Sequence, residues 1–145
     1  MRKIKMMKSN QGRVLPRQWH LLDAGMEPLG RLAVKIANLL TGKGKVSYKP
    51  NLDAGDYVVV VNANKLVTSG KKDVSKVYYR YSGYPGGLKK ETLGSLRVRK
   101  PKEVVRHAVS GMLAKNKLLR PRMARLFIYE GADQPHKAQV NKVEN

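Results

Sequence analysis

Between residues 97 and 125 stand ten cations (Arg97, Arg99, Lys100, Lys102, Arg106, Lys115, Lys117, Arg120, Arg122 and Arg125) and one acid, Glu103. Guanidinium groups match phosphate oxygens as a two-pronged fork, and ammonium groups serve as point charges. A solvated protein face mixes both signs, so an excess this one-sided points to a polyanion. Residues 71–90 add Lys71, Lys72, Arg80, Lys89 and Lys90, together with four of the seven tyrosines, Tyr78, Tyr79, Tyr81 and Tyr84. Along a strand Tyr79 and Tyr81 share one face and Tyr78 takes the other, so some of these rings belong to the core. Tyr84 lies in the loop Ser82-Gly83-Tyr84-Pro85-Gly86-Gly87 and is the ring expected to stack on a base or ribose. The candidate nucleic-acid-binding set takes Arg97, Arg99, Lys100, Lys115, Lys117, Arg120 and Arg122 from the first run and Lys71, Lys72, Arg80, Tyr84, Lys89 and Lys90 from the second. Lys43, Lys45 and Lys49, Arg31, and Arg13 and Arg17 near the N-terminus complete it.

Other chemistries find less support. The segment Gly25-Met26-Glu27-Pro28-Leu29-Gly30 has the glycine spacing of a phosphate-binding loop. It is followed by Arg31 and Leu32 instead of the Lys and hydroxyl a nucleotide site needs, and Glu27 opposes phosphate. A turn leading into a helix explains it. Asp53 and Asp56 flank Gly55 as turn residues do. His20, His107 and His136 lack metal-ligand spacing, and the absence of cysteine removes disulfides, thiolate metal sites and a thiol nucleophile. The expectation is a non-enzyme with no cofactor, no bound metal and no small-molecule substrate. No apolar run reaches the roughly 20 residues that span a bilayer. The basic N-terminal stretch lacks the apolar segment of a signal peptide, so the cytoplasm is the expected compartment, with no membrane partner.

The elements that must position these cations follow from periodicity. At 145 residues, with a net charge of +20 and 41% hydrophobic residues, the chain has the size and apolar content of one folded domain. Residues 19–23 read as a strand. A helix opens at Pro28, carries apolar Leu29, Leu32, Ala33, Ile36, Ala37, Leu39 and Leu40 close to the i, i+3, i+4, i+7 spacing, and stops at Gly42. Four consecutive valines at 58–61 predict a strand covered on both faces, as in a parallel sheet between helices. Residues 77–81 and 126–129 read as further strands, 66–68 as a short element, 93–96 as a short helix, and Pro101 opens a second amphipathic helix reaching Leu113. The division expected is a basic extended arm over 1–18, one α/β domain over 19–130 and a polar surface tail over 131–145.

These residues, in this order, resemble the bacterial large-subunit ribosomal protein L-thirteen family. The likeness lies in Leu29-Gly30-Arg31-Leu32-Ala33, in Asp56-Tyr57-Val58-Val59-Val60-Val61-Asn62-Ala63 and in Val77-Tyr78-Tyr79. It continues through Ser82-Gly83 with Gly86-Gly87, Gly111-Met112-Leu113, and Leu126-Phe127-Ile128-Tyr129. The resemblance implies a three-layer α/β/α sandwich around a mostly parallel four-stranded sheet. It also implies direct binding to large-subunit ribosomal RNA, neighbouring large-subunit proteins as partners, and an early role in subunit assembly. Ala114 stands where the family has Pro, and Leu119 where it often has Gly, so the 114–125 loop departs from the pattern. The expected role is a structural constituent of the large ribosomal subunit that is not a homo-oligomer. A free DNA- or mRNA-binding regulator is the alternative that composition alone leaves open.

Overall fold

The computed structural model describes residues 17–140. In chain order its elements are β1 (Trp19–Asp23), α1 (Leu29–Thr41), β2 (Tyr57–Val61), α2 (Lys72–Ser75), β3 (Val77–Tyr81) and β4 (Leu88–Thr92). They continue as α3 (Leu93–Arg99), α4 (Pro101–Met112), α5 (Leu119–Ala124), β5 (Leu126–Ile128) and α6 (Lys137–Val140). The valine strand β2 lies between β1 and β5, parallel to both, with Leu22 opposite Val60 and Phe127 opposite Val59. No helix among the described residues is long and apolar enough to cross a membrane.

Val58 and Val60 face one side, where Leu32, Ile36 and Leu40 of α1 and Val104, Val105 and Val109 of α4 close over them. Those helical residues recur every three or four positions, so each helix turns one apolar stripe inward. Gly42 ends α1 in the left-handed region at φ 74°, its N–H donating to the carbonyls of Asn38 and Leu39. Beneath that helix end runs the 53–56 loop. A Cβ on Gly55 would stand 1.8 Å from the Leu40 carbonyl oxygen, so only glycine permits this approach.

Val59 and Val61 face the opposite side, covered by Trp19, Phe127, Tyr129 and Val140. His136 joins them, its ring centroid 4.5 Å from Phe127 and 5.0 Å from Trp19. Both faces of β2 are therefore buried, yet among the described residues the second layer is a patch of aromatics with the short α6 in place of a helical layer. Residues 131–140, expected as part of a polar tail, supply this cover because the valines' second face would otherwise meet water. Residues 141–145, and the expected arm up to residue 16, lie outside the described residues.

Among the described residues the parallel sheet has three strands, where four were expected. Residues 77–81 form a strand, but the six-residue loop after it is too short for the crossover a parallel neighbour requires. The chain turns back at once, and β3 pairs antiparallel with β4 in a separate two-stranded sheet, Tyr79 opposite Lys90 and Tyr81 opposite Leu88. Of the 66–68 element only a single parallel bridge remains, Val67 with Pro28.

Candidate nucleic-acid interface

Parallel strands begin at one end of their sheet, so the segments that feed them converge there. Arg17 precedes β1, the 43–56 loop precedes β2, and the 113–125 segment precedes β5. This topology gathers Arg17, Lys43, Lys45, Lys49, Lys115, Lys117, Arg120, Arg122 and Arg125 at the strand N-terminal end. The second group, Lys71, Lys72, Arg80, Lys89, Lys90, Arg97, Arg99 and Lys100, lies on α2, the β3–β4 hairpin and α3. Arg31 stands apart, exposed on the first turn of α1. Arg13 lies outside the described residues.

At the first end the acids are consumed internally. Arg125 is buried and grips Asp53 with both terminal nitrogens, Nη1 to Oδ2 at 2.5 Å and Nη2 to Oδ1 at 2.6 Å. Its Nη2 also donates to the Leu40 carbonyl at 3.2 Å, tying the base of β5 to the end of α1. Arg17 reaches the same carboxylate at 3.6 Å from the surface. Buried Asp56 accepts from the Gln18 N–H at 2.8 Å, and both Lys45 and the His20 ring contact its oxygens. The Asp53/Asp56 pair, which spacing alone made a turn, is the anchor of a charge network that fixes the loops around it.

That network takes up two of the candidate residues. Arg122 is only 3% exposed, because the inner face of α5 turns it towards Asp53, with Nε 3.8 Å from Oδ1. Lys45 has its ammonium on Asp56 and little of its side chain in solvent. Arg122 is thus a buried structural cation, and Lys45 is half-buried with its charge already paired. Arg125 stood outside the candidate set; the signal was an arginine directly before an apolar strand, with Asp53 available to neutralise it.

On the second group Glu91 takes Arg99 through two nitrogens, at 3.1 and 2.5 Å, and Asp73 lies 3.7 Å from Arg97. These are exposed pairs, easily exchanged for a phosphate. Lys72 donates to Ser69 Oγ. Arg31, Lys43, Lys49, Lys71, Arg80, Lys89, Lys90, Lys100, Lys115, Lys117 and Arg120 are all exposed, and none forms an ion pair among the described residues. Tyr84 is 75% exposed at the hairpin tip, in keeping with its loop position. Tyr79 and Tyr81 are exposed as well, whereas Tyr78 turns inward against His107, and burial raises its phenol above the ordinary tyrosine pKa.

The Gly25–Gly30 segment is turn structure. Asp23 accepts from the Gly25 N–H at 2.8 Å, Glu27 pairs with Lys35, and the Leu29 N–H donates to the Val67 carbonyl. The Gly25 and Leu29 N–H groups are thus taken by a carboxylate and a carbonyl of the fold itself.

The chain is similar to known proteins over most of its length. The chain matches the family described as Ribosomal protein L13 over residues 17–135. Large ribosomal subunit protein uL13 of Pelobacter propionicus is 51% identical over 127 residues, covering 88% of this chain and 89% of the relative. The protein of the same description from Treponema pallidum is 53% identical over 123 residues, 85% of this chain and 87% of its own length. That of Gloeothece citriformis is 50% identical over 125 residues, covering 86% and 83%.

Proposed function

The chain belongs to the ribosomal protein L13 family, and on that premise we propose that its outward cations bind large-subunit ribosomal RNA directly and support early assembly of the subunit. As a member of that family it is a structural, non-enzymatic component of the large ribosomal subunit. One observation carries the RNA-binding reading: the carboxylates around the strand N-termini are neutralised inside the fold, while the cations beside them stay uncovered. Lys43, Lys49, Lys115, Lys117 and Arg120 at that end would neutralise backbone phosphates. So would Lys71, Lys72, Arg80, Lys89, Lys90 and Lys100 on the hairpin side, and Arg31 on α1. Arg97 and Arg99 would exchange their exposed carboxylates for phosphate. Such contacts position a protein, and RNA shape supplies selectivity.

Arg13 joins this set on sequence grounds alone. The net charge of +20 disfavours a second copy at close range, in keeping with a component that is not a homo-oligomer. A cytoplasmic ribosome is in keeping with named relatives that come from bacteria.

Competition between protein-free large-subunit rRNA and duplex DNA over a salt series tests the reading. Both complexes weaken as salt rises, but preference for structured rRNA persists at ~0.2 M salt, where non-specific binding has largely gone. Equal retention of duplex DNA at that salt would favour the free regulator instead.

A further inference from the structure

The β3–β4 hairpin has two faces of different fate. Tyr78 and Glu91 face inward, Tyr78 against His107 and Glu91 gripping Arg99. The other face carries Tyr79 and Tyr81 opposite Lys90 and Leu88, and nothing among the described residues covers it: both rings are 64% exposed and Leu88 is 50% exposed. We infer that this outer face is a stacking platform for unpaired RNA bases, with Tyr79 and Tyr81 each taking one base; the inference rests on the rRNA-binding reading above and adds a ligand class to it.

Three features select bases over a protein surface. First, the exposed face holds no carboxylate, and its central cross-strand pair is a tyrosine with a lysine, the Lys90 ammonium 5.8 Å from the Tyr79 ring centroid. Lysine is depleted where proteins meet one another, whereas an ammonium beside a stacked ring suits a base that carries its own phosphate. Second, residues two apart on a strand stand roughly 6.8 Å from each other, twice the ~3.4 Å step of a stacked strand. The two rings therefore fit bases splayed apart in a loop or bulge, the form in which RNA exposes its bases to proteins. Third, the platform is rigidly attached. The Leu93 N–H donates to the Lys76 carbonyl at 2.9 Å, closing the hairpin's base, and Tyr78 anchors its inner face. Tyrosine also loses little conformational freedom on binding.

The test uses the full chain and protein-free large-subunit rRNA. Replacing Tyr79→Ser and Tyr81→Ser together should weaken binding at least about tenfold, while the dependence of affinity on salt is unchanged because every cation stays in place. The pair Tyr79→Phe and Tyr81→Phe, which keeps the rings, should bind within about twofold of wild type. If the serine pair lowers the melting temperature, Tyr79→Val with Tyr81→Val keeps strand propensity without rings and carries the same expectation. Ultraviolet crosslinking should place Tyr79 or Tyr81 on unpaired nucleotides. Ring-free variants that bind as wild type overturn the inference and leave the phosphate-binding reading standing. The same result with failed incorporation into subunits would mean that the face docks a protein, and equally overturns it. Failure of the wild-type chain to bind the rRNA sinks both.

Discussion

Arg125→Met removes a guanidinium that bonds twice to Asp53 and once to the Leu40 carbonyl, while a flexible apolar stem of similar length remains. Breaking a buried ion pair by deleting one partner costs about 3–5 kcal/mol, because the remaining charge is left uncompensated. Here Arg17 at 3.6 Å and Arg122 at 3.8 Å still share Asp53, and the carboxylate keeps some exposure to solvent. The lower end, about 3 kcal/mol, is therefore expected. For a domain of this size that is a drop of about 10 °C in melting temperature. It would also consume much of the roughly 5–15 kcal/mol that holds such a domain folded. Thermal melts followed by circular dichroism, with urea titrations to show that the m-value is unchanged, measure it. Arg120→Met is the control, exposed on the short helix α5 that ends just before Arg125, and should stay within about 0.5 kcal/mol of wild type. A loss under about 1 kcal/mol for Arg125→Met, the range of exposed pairs, would refute the claim that the Asp53 network fixes the loops at the strand N-termini.

Replacing Lys115, Lys117 and Arg120 together by Ala should leave melting nearly intact and lower the slope of log affinity against log salt by about 2–3, roughly 0.7–0.9 for each phosphate no longer neutralised; an unchanged slope means these side chains touch no phosphate. Val60→Asp places an unpaired charge on the fully buried face between α1 and α4 and should abolish folding, visible as loss of the cooperative melt. A soluble variant with a normal melt would show that β2 is not interior. The Tyr78 hydroxyl is buried without a hydrogen-bond partner, and its raised pKa favours the neutral form in the fold. Its contribution is complete below about pH 10 and is lost as pH rises through the folded-state value. Tyr78→Phe should match or slightly exceed wild type in stability at neutral pH and lose less on going to about pH 11; equal alkaline losses would contradict this.

Periodicity made the buried elements legible. The valine run, the stripe from Leu29 to Leu40 and the pairs Val104-Val105 and Ala108-Val109 mark the central strand and the two helices that cover one of its faces. The hairpin partner β4 was not legible, because Leu88-Lys89-Lys90-Glu91-Thr92 has little strand character and is held by pairing with β3. α5 lay hidden in a run read as a basic loop. The site was legible as a population of cations but not residue by residue. Arg120 and Arg122 look equivalent in sequence, yet one faces solvent and the other Asp53, a distinction made by the helical turn between them and by a carboxylate about 70 residues away. Composition counts the charge without telling which cations the fold has already neutralised.

Sedimentation of a gently lysed, low-salt extract tests the central claim most directly, with the chain quantified across the gradient by mass spectrometry. The account predicts that nearly all of it travels with large subunits and with whole ribosomes, and that it reaches assembly precursors of the large subunit. A chain recovered mainly at the top of the gradient, free of large subunits, would contradict it.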